Sequence, residues 1–240
     1  MSIFLLAVVL VGFAQTFYLR PLFKVPAIPW YVYVHGSVMT AWIVLFVIQT
    51  SLIAAHRSDV HRRLGAFGAL LALAVTGLGI FLTVKIPANF KGTGGLSAIR
   101  GPTLPLPIAM QIFWGNIGAL TLFPVYVAIA LWMRRRPEVH KRLLLLASIA
   151  MVGPALGRIA GFPQQWGAAP SSFIVIAFQF LNVALALGLP LTLVVHDLLT
   201  ARKLSRATAW AAFSSAAIGI GTVLVIPATG AGRAVWRALQ

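Results

Sequence analysis

Seven apolar runs, near 2–19, 30–55, 64–84, 105–133, 143–162, 172–198 and 207–227, take up most of this 240-residue chain. Each approaches or exceeds the ~20 residues a helix needs to cross about 30 Å of hydrocarbon. Charged residues make up 9% of the sequence and hydrophobic ones 60%, against about 25% charged in an ordinary soluble domain. A soluble fold of this size cannot bury that much apolar surface, so the bilayer is the expected solvent. In hydrocarbon every backbone N–H and C=O must find a partner, which a helix supplies from within its own segment. The expected fold class is all-α: a polytopic membrane protein with about seven transmembrane helices, forming a single domain over 1–240. The first run has no basic leader or small-x-small cleavage site and reads as a retained helix.

The placement of charge orients this expectation. Net charge is +16. With seven spans, the loops at 56–63, 134–142 and 197–206 share one side and hold eleven of the nineteen Lys and Arg residues. The positive-inside rule makes that side cytoplasmic, with the N-terminus inside and the C-terminus outside. Anionic lipid headgroups are the partners expected for these loops. Nucleic acid is not, because the basic residues sit at the ends of membrane spans. The absence of cysteine removes disulfides, thiolate metal sites and thiol catalysis.

One eight-residue cluster occurs twice. Arg57-Ser58-Asp59-Val60-His61-Arg62-Arg63-Leu64 returns 79 residues later as Arg136-Pro137-Glu138-Val139-His140-Lys141-Arg142-Leu143, and Gly36 and Gly115 obey the same offset. This predicts two helix pairs, about 31–84 and 105–162, as parallel repeats related by a pseudo-twofold axis along the membrane normal. They would form a four-helix core of helices two to five, flanked by 2–19, 172–198 and 207–227. Convergence on a good cytoplasmic loop is the competing explanation. Pro124, Pro154 and Pro190 fall inside helices four, five and six, where kinks are expected. The prolines at 21, 26 and 29 predict an extended segment over 20–29, and 85–104 is the longest loop.

Helical spacing sorts the intramembrane polar residues. His35, Met39, Trp42, Phe46 and Gln49 form one stripe on the second helix, which should face protein because lipid offers His and Gln no partners. His140 and Arg158 lie eighteen residues apart, five full turns, and are expected on one face of the fifth helix. Two polar levels follow. The inner one holds His61 and His140, with Gln49 and His196 near them. The outer one holds His35, Gln111, Asn116 and Arg158, with Gln179 nearby, and is the expected ligand pocket. Arg158 reads either as a ligand for an anion or carbonyl group or as a side chain snorkelling to outer headgroups.

Asp59 and Glu138 are explained by the positive N-terminal ends of the helices they begin. His61 and His140 sit at the same helix starts beside arginines, which favours the neutral imidazole. Neutral histidines on facing helices either close the cytoplasmic face through carbonyls or hold a b-type haem. In the haem case Arg62 and Arg142, with Arg63 and Lys141, are placed for its propionates.

His35-Gly36, Met39 and Ala41-Trp42, leading to His61, resemble the second and third helices of the cytochrome b561 class. The resemblance spans about 31–158 and implies an antiparallel four-helix core with two haems. One haem pair maps onto His61 and His140. The other maps onto His35 and position 114, which is Trp114 here, so the resemblance implies at most one haem. The His61-Arg62-Arg63-Leu64-Gly65 stretch with His35-Gly36 is also similar to uncharacterised bacterial multi-helix inner-membrane proteins, implying a bacterial inner-membrane location.

Three functions fit these observations. The first is an integral subunit or scaffold of a larger membrane complex, packing beside a membrane-protein partner or another copy of itself. The second is a b-type electron-transfer protein with haem between His61 and His140 and a quinone or anion pocket near Arg158. The third is a small transporter or lipid-binding protein. Gly-x-Ser-x-Gly and His-Glu-x-x-His motifs are absent, so hydrolase chemistry has no support and no catalytic residue is assigned. The seventh run has no lysine, which excludes a retinal Schiff base there.

Overall fold

A computed structural model describes residues 1–23, 27–90, 106–160, 188, 191–195, 197–199, 202 and 204–240. Among these, all regular structure is helical. Four helices are long and apolar enough to cross a membrane: Trp30–Ala54, Ser58–Pro87, Ala109–Trp132 and Thr208–Ala228. A fifth span arises if the bent pair Pro137–Ala150 and Gly153–Ile159 is taken together. The chain is therefore a multi-pass membrane protein, all-helical over the described residues. The apolar helix Ser2–Tyr18 is shorter, about 26 Å at 1.5 Å per residue, so the run at 2–19 falls short of the full span expected for it. The sixth run, 172–198, lies mostly outside the described residues, as do Pro190, His196 and Gln179.

We label the helices α1 (Ser2–Phe13), α2 (Trp30–Ala54), α3 (Ser58–Phe90), α4 (Leu106–Trp132), α5 (Pro137–Ala150), α6 (Gly153–Ala160), α7 (Arg206–Ile220) and α8 (Gly230–Ala238). Helices α2, α3, α4 and α5 pack in sequence, and Trp42 closes the ring. Its indole lies edge-on to Phe123 of α4 at 4.9 Å, and its Nε1 donates to Ser148 Oγ of α5 at 3.3 Å. Ser148 is fully buried, so this bond satisfies polar atoms that neither lipid nor water can reach. The stripe from His35 to Gln49 faces inward as its spacing requires.

α1 packs against α2 and α6. The approach to α6 is close enough that a Cβ at Gly12 would overlap the Ala155 carbonyl, so glycine is required there. On the other flank α7 packs against α4 and α5, pinned by Tyr126, whose hydroxyl donates to Ala211 O at 3.0 Å and shares hydrogen bonds with Ser214 and Ser215. α7 continues through a π-turn, Gly221–Val225, to Ala228.

Proline does not act uniformly. α4 passes through Pro124 as one continuous helix, whereas α5 and α6 meet at 45°. Pro154 cannot donate to the Ala150 carbonyl, and its ring crowds that oxygen. The chain instead tightens, with Met151 N–H bonded to Ser148 O at 3.3 Å and Val152 N–H to Ile149 O at 3.1 Å. This bend overturns the expectation of one straight face joining His140 to Arg158. One further expectation is corrected. Arg20–Phe23 forms a 3-10 turn rather than extended chain, since Pro21 suits a first helical turn. The chain also ends in α8, capped by Thr229 Oγ1 accepting from Gly232 N–H at 2.9 Å and anchored by Trp236 against Phe113 at 5.6 Å.

Candidate functional site

A cavity of about 330 Å³ lies inside the bundle, walled by α1, α2, α3, α4, the α5–α6 bend and α7 with its π-turn. It is at the small end of the range for small-molecule pockets, roughly 300–1,000 Å³. Most of its wall is apolar, from side chains such as Ile43, Leu82, Ile112, Leu146 and Ile149. Small residues leave the space: Gly36 and Gly115, the pair at the repeat offset, both line it. A Cβ on Gly36 would overlap the Phe17 ring.

His35, Gln111, Asn116 and Arg158 all line this cavity. They come from α2, α4 and α6, and the bend at Pro154 brings the last of them in. Arg158 is 9% exposed. Its Nε donates to Thr16 Oγ1 at 3.2 Å, its Nη1 donates to Pro154 O at 3.0 Å, and its guanidinium lies 4.2 Å from the Phe13 ring centroid. These contacts hold its guanidinium inward. Its charge acts electrostatically on His35. His35 Nδ1 and Gln111 Oε1 are both buried without a hydrogen-bond partner. Orphaned buried polar atoms are uncommon and costly, and here two of them belong to residues that line the same cavity.

Sequence reasoning missed the contribution of the π-turn Ala14–Tyr18. Thr16 and Tyr18 line the cavity, Tyr18 OH pairs with Thr40 Oγ1 at 2.6 Å, and Thr40 Oγ1 donates to Gly36 O at 2.7 Å. Arg20, 5% exposed, donates to Thr16 O at 2.7 Å, so two guanidinium groups flank Thr16. The signal was present in the polar Gln15-Thr16 step within the first apolar run.

At the basic end, the His61 and His140 rings are 6.3 Å apart and nearly perpendicular. His140 Nδ1 pairs with Ala130 O at 2.8 Å, which leaves Nε2 as the ring's lone-pair nitrogen. Gln49 Nε2 donates to the His61 carbonyl at 3.3 Å, and His61 Nδ1 is buried without a partner. Ring separation is the one feature in keeping with a shared metal, whose two imidazole bonds and ring depths span roughly 6 Å, and it does not by itself make a clear haem-binding pair. Neither histidine lines the cavity, so a macrocycle between them would need a space of its own. Among the described residues no group of three or more metal-ligating side chains occurs.

Arg62 is exposed. Arg142 is committed elsewhere, donating from Nη1 to Asp197 Oδ2 at 2.6 Å, Ser205 Oγ at 2.9 Å and Thr208 Oγ1 at 2.6 Å. Its expected role as a propionate contact gives way to a structural one, because Asp197 is 2% exposed and needs the charge. Burial alone would raise the Asp197 carboxyl, but hydrogen bonds from Thr208, Arg142 and the Ser205 N–H, with the Arg142 charge, hold it down at about 2. Comparison with protein-family models, curated proteins and solved structures found no match, so the functional reading rests on these geometries.

Proposed function

We propose that this chain binds a small amphipathic molecule from the membrane phase, with its polar head at the His35–Gln111–Arg158 end of the cavity and its apolar part against α3 and α5. The observation that carries this reading is a largely apolar cavity lined by His35 and Gln111, each of which keeps a buried polar atom, Nδ1 and Oε1, without a hydrogen-bond partner. A buried donor or acceptor without a partner costs about 1–3 kcal/mol, and a ligand head supplies what the protein does not. In this reading the protein crosses the membrane with its basic end in the cytoplasm, and it is a ligand-binding protein rather than a bare scaffold. The test is mass spectrometry of small molecules that co-purify with the protein in lipid nanodiscs. We expect an amphipathic species retained by the parent chain and lost on the double change His35→Leu and Gln111→Leu. Equal retention by both would overturn the reading.

A second reading, haem held by His61 and His140, is favoured by the 6.3 Å ring separation and by the committed Nδ1 of His140. A haem would supply one-electron transfer there. It predicts a Soret band in the purified protein that disappears in His61→Ala and His140→Ala. A flat spectrum from cells with ample haem would dismiss it.

A further inference from the structure

We propose that the head of the cavity's ligand is a carboxylate, making the ligand class a long-chain carboxylic acid rather than a neutral quinone or an ester. This rests on the amphiphile-binding reading above and names its chemistry.

The charge around the cavity is one-sided. Among the described residues Arg158 is the cation in its lining, and no Asp or Glu lines it. Arg20, buried one turn beyond Thr16, adds a second positive charge on the same side. The chain has three acidic side chains in all, and each is engaged at the basic end: Asp59 with Arg57, Glu138 with Lys141, Asp197 with Arg142. An apolar, water-poor wall strengthens the field of Arg158 relative to water.

The hydrogen-bonding groups agree with the field. His35 Nδ1 donates in one tautomer. The Gln111 amide presents either its oxygen or its NH₂ to the cavity, since the two ends are interchangeable by a half-turn, and Asn116 has the same freedom. Together with the guanidinium, every polar group at this end can donate at once. An acceptor-only, singly negative head satisfies that arrangement. An ester or quinone carbonyl accepts hydrogen bonds but brings no negative charge to the Arg158 side of the cavity. The apolar side chains of the lining, among them Ile43, Leu82, Ile112 and Leu146, suit an alkyl chain.

The experiment uses the full chain in nanodiscs of zwitterionic lipid, with labelled palmitate as probe and methyl palmitate and decylubiquinone as competitors. We expect saturable palmitate binding and competitors weaker by about tenfold or more, the scale of a charge-assisted hydrogen bond. Arg158→Lys should keep this preference for the acid, and Arg158→Gln should erase it. Gln111→Glu, on a different helix, should also abolish palmitate binding by like-charge repulsion, so the test survives if Arg158→Gln fails to fold. Ester or quinone binding as tight as the acid would overturn the carboxylate assignment while leaving an amphiphile site standing. Failure of all three probes to bind saturably would remove the site reading and this inference with it.

Discussion

α3 and α5 begin with versions of the same octet, yet they have opposite surroundings. On α3, Phe67, Leu70 and Leu73 are 55%, 67% and 71% exposed. Their counterparts 79 residues on, Leu146, Ile149 and Val152, are 2%, 8% and 1% exposed. The same three-residue stripe faces outward in one copy and is the core in the other. Basic residues diverge in the same way: Arg63 is exposed, whereas its counterpart Arg142 holds buried Asp197. The cause is what packs on each helix. α7 and α1 cover α5, and neither packs extensively on α3. Then, where Val75 continues α3, Pro154 ends α5 and turns the chain by 45°. The bend puts Arg158 into the cavity. A repeated sequence thus yields one outer helix and one site-forming helix, because local chemistry sets the helix start and its neighbours set everything beyond.

Several substitutions would break or sharpen that contrast. Arg142→Ala removes the positive charge from beside a buried carboxylate and should cost about 3–5 kcal/mol, whereas Arg63→Ala should stay within about 0.5 kcal/mol; thermal unfolding in detergent measures both. Equal losses would show that the two octets are equivalent after all. Leu146→Ala should cost about 2–5 kcal/mol as a core truncation, and Phe67→Ala about 0.5 kcal/mol or less, by the same assay.

Acid offers a third test. The Asp197 carboxyl is held below its ordinary value of 3.8, at about 2. Its stabilisation is therefore complete above about 3.8 and is lost as pH falls through about 2. Asp197→Asn should flatten stability across that window, as the same unfolding assay repeated against pH would measure. The smallest effect is at the turn before α3. His56 has φ 56°, and the bonds from Arg57 N–H to Leu52 O (2.8 Å) and His56 N–H to Ile53 O (3.1 Å) form a Schellman end usually closed by glycine. His56→Gly should stabilise by about 1 kcal/mol or less; a destabilisation would mean that the histidine side chain contributes contacts of its own.

Much of this was legible in the residues. Run length and low charge dictate membrane helices, since hydrocarbon admits few alternatives. Helical periodicity alone turns the His35–Gln49 stripe inward. Pairing Gln111 and Asn116 with His35 and Arg158 was also within reach, because apolar runs of similar length place polar residues at comparable depths. The bend at Pro154 was foreseen as a kink, but not that Pro124 would leave α4 continuous, since a proline's effect depends on what packs around the carbonyl it frees. The Arg142–Asp197 pair was invisible because its partners lie 55 residues apart and no local pattern joins them.

By itself, then, the sequence determined that this is a membrane protein, that its long apolar runs at 30–55, 64–84, 105–133 and 207–227 are helical, and which face of α2 turns inward, all consequences of short-range hydrogen bonding and of side chains avoiding lipid. Tertiary structure decided which copy of the octet becomes core, which arginine is structural and which reaches the cavity, and how the Ala14–Tyr18 turn closes the site. Those outcomes depend on contacts between helices distant in sequence, where the energy of burial is settled by the neighbour and not by the residue alone.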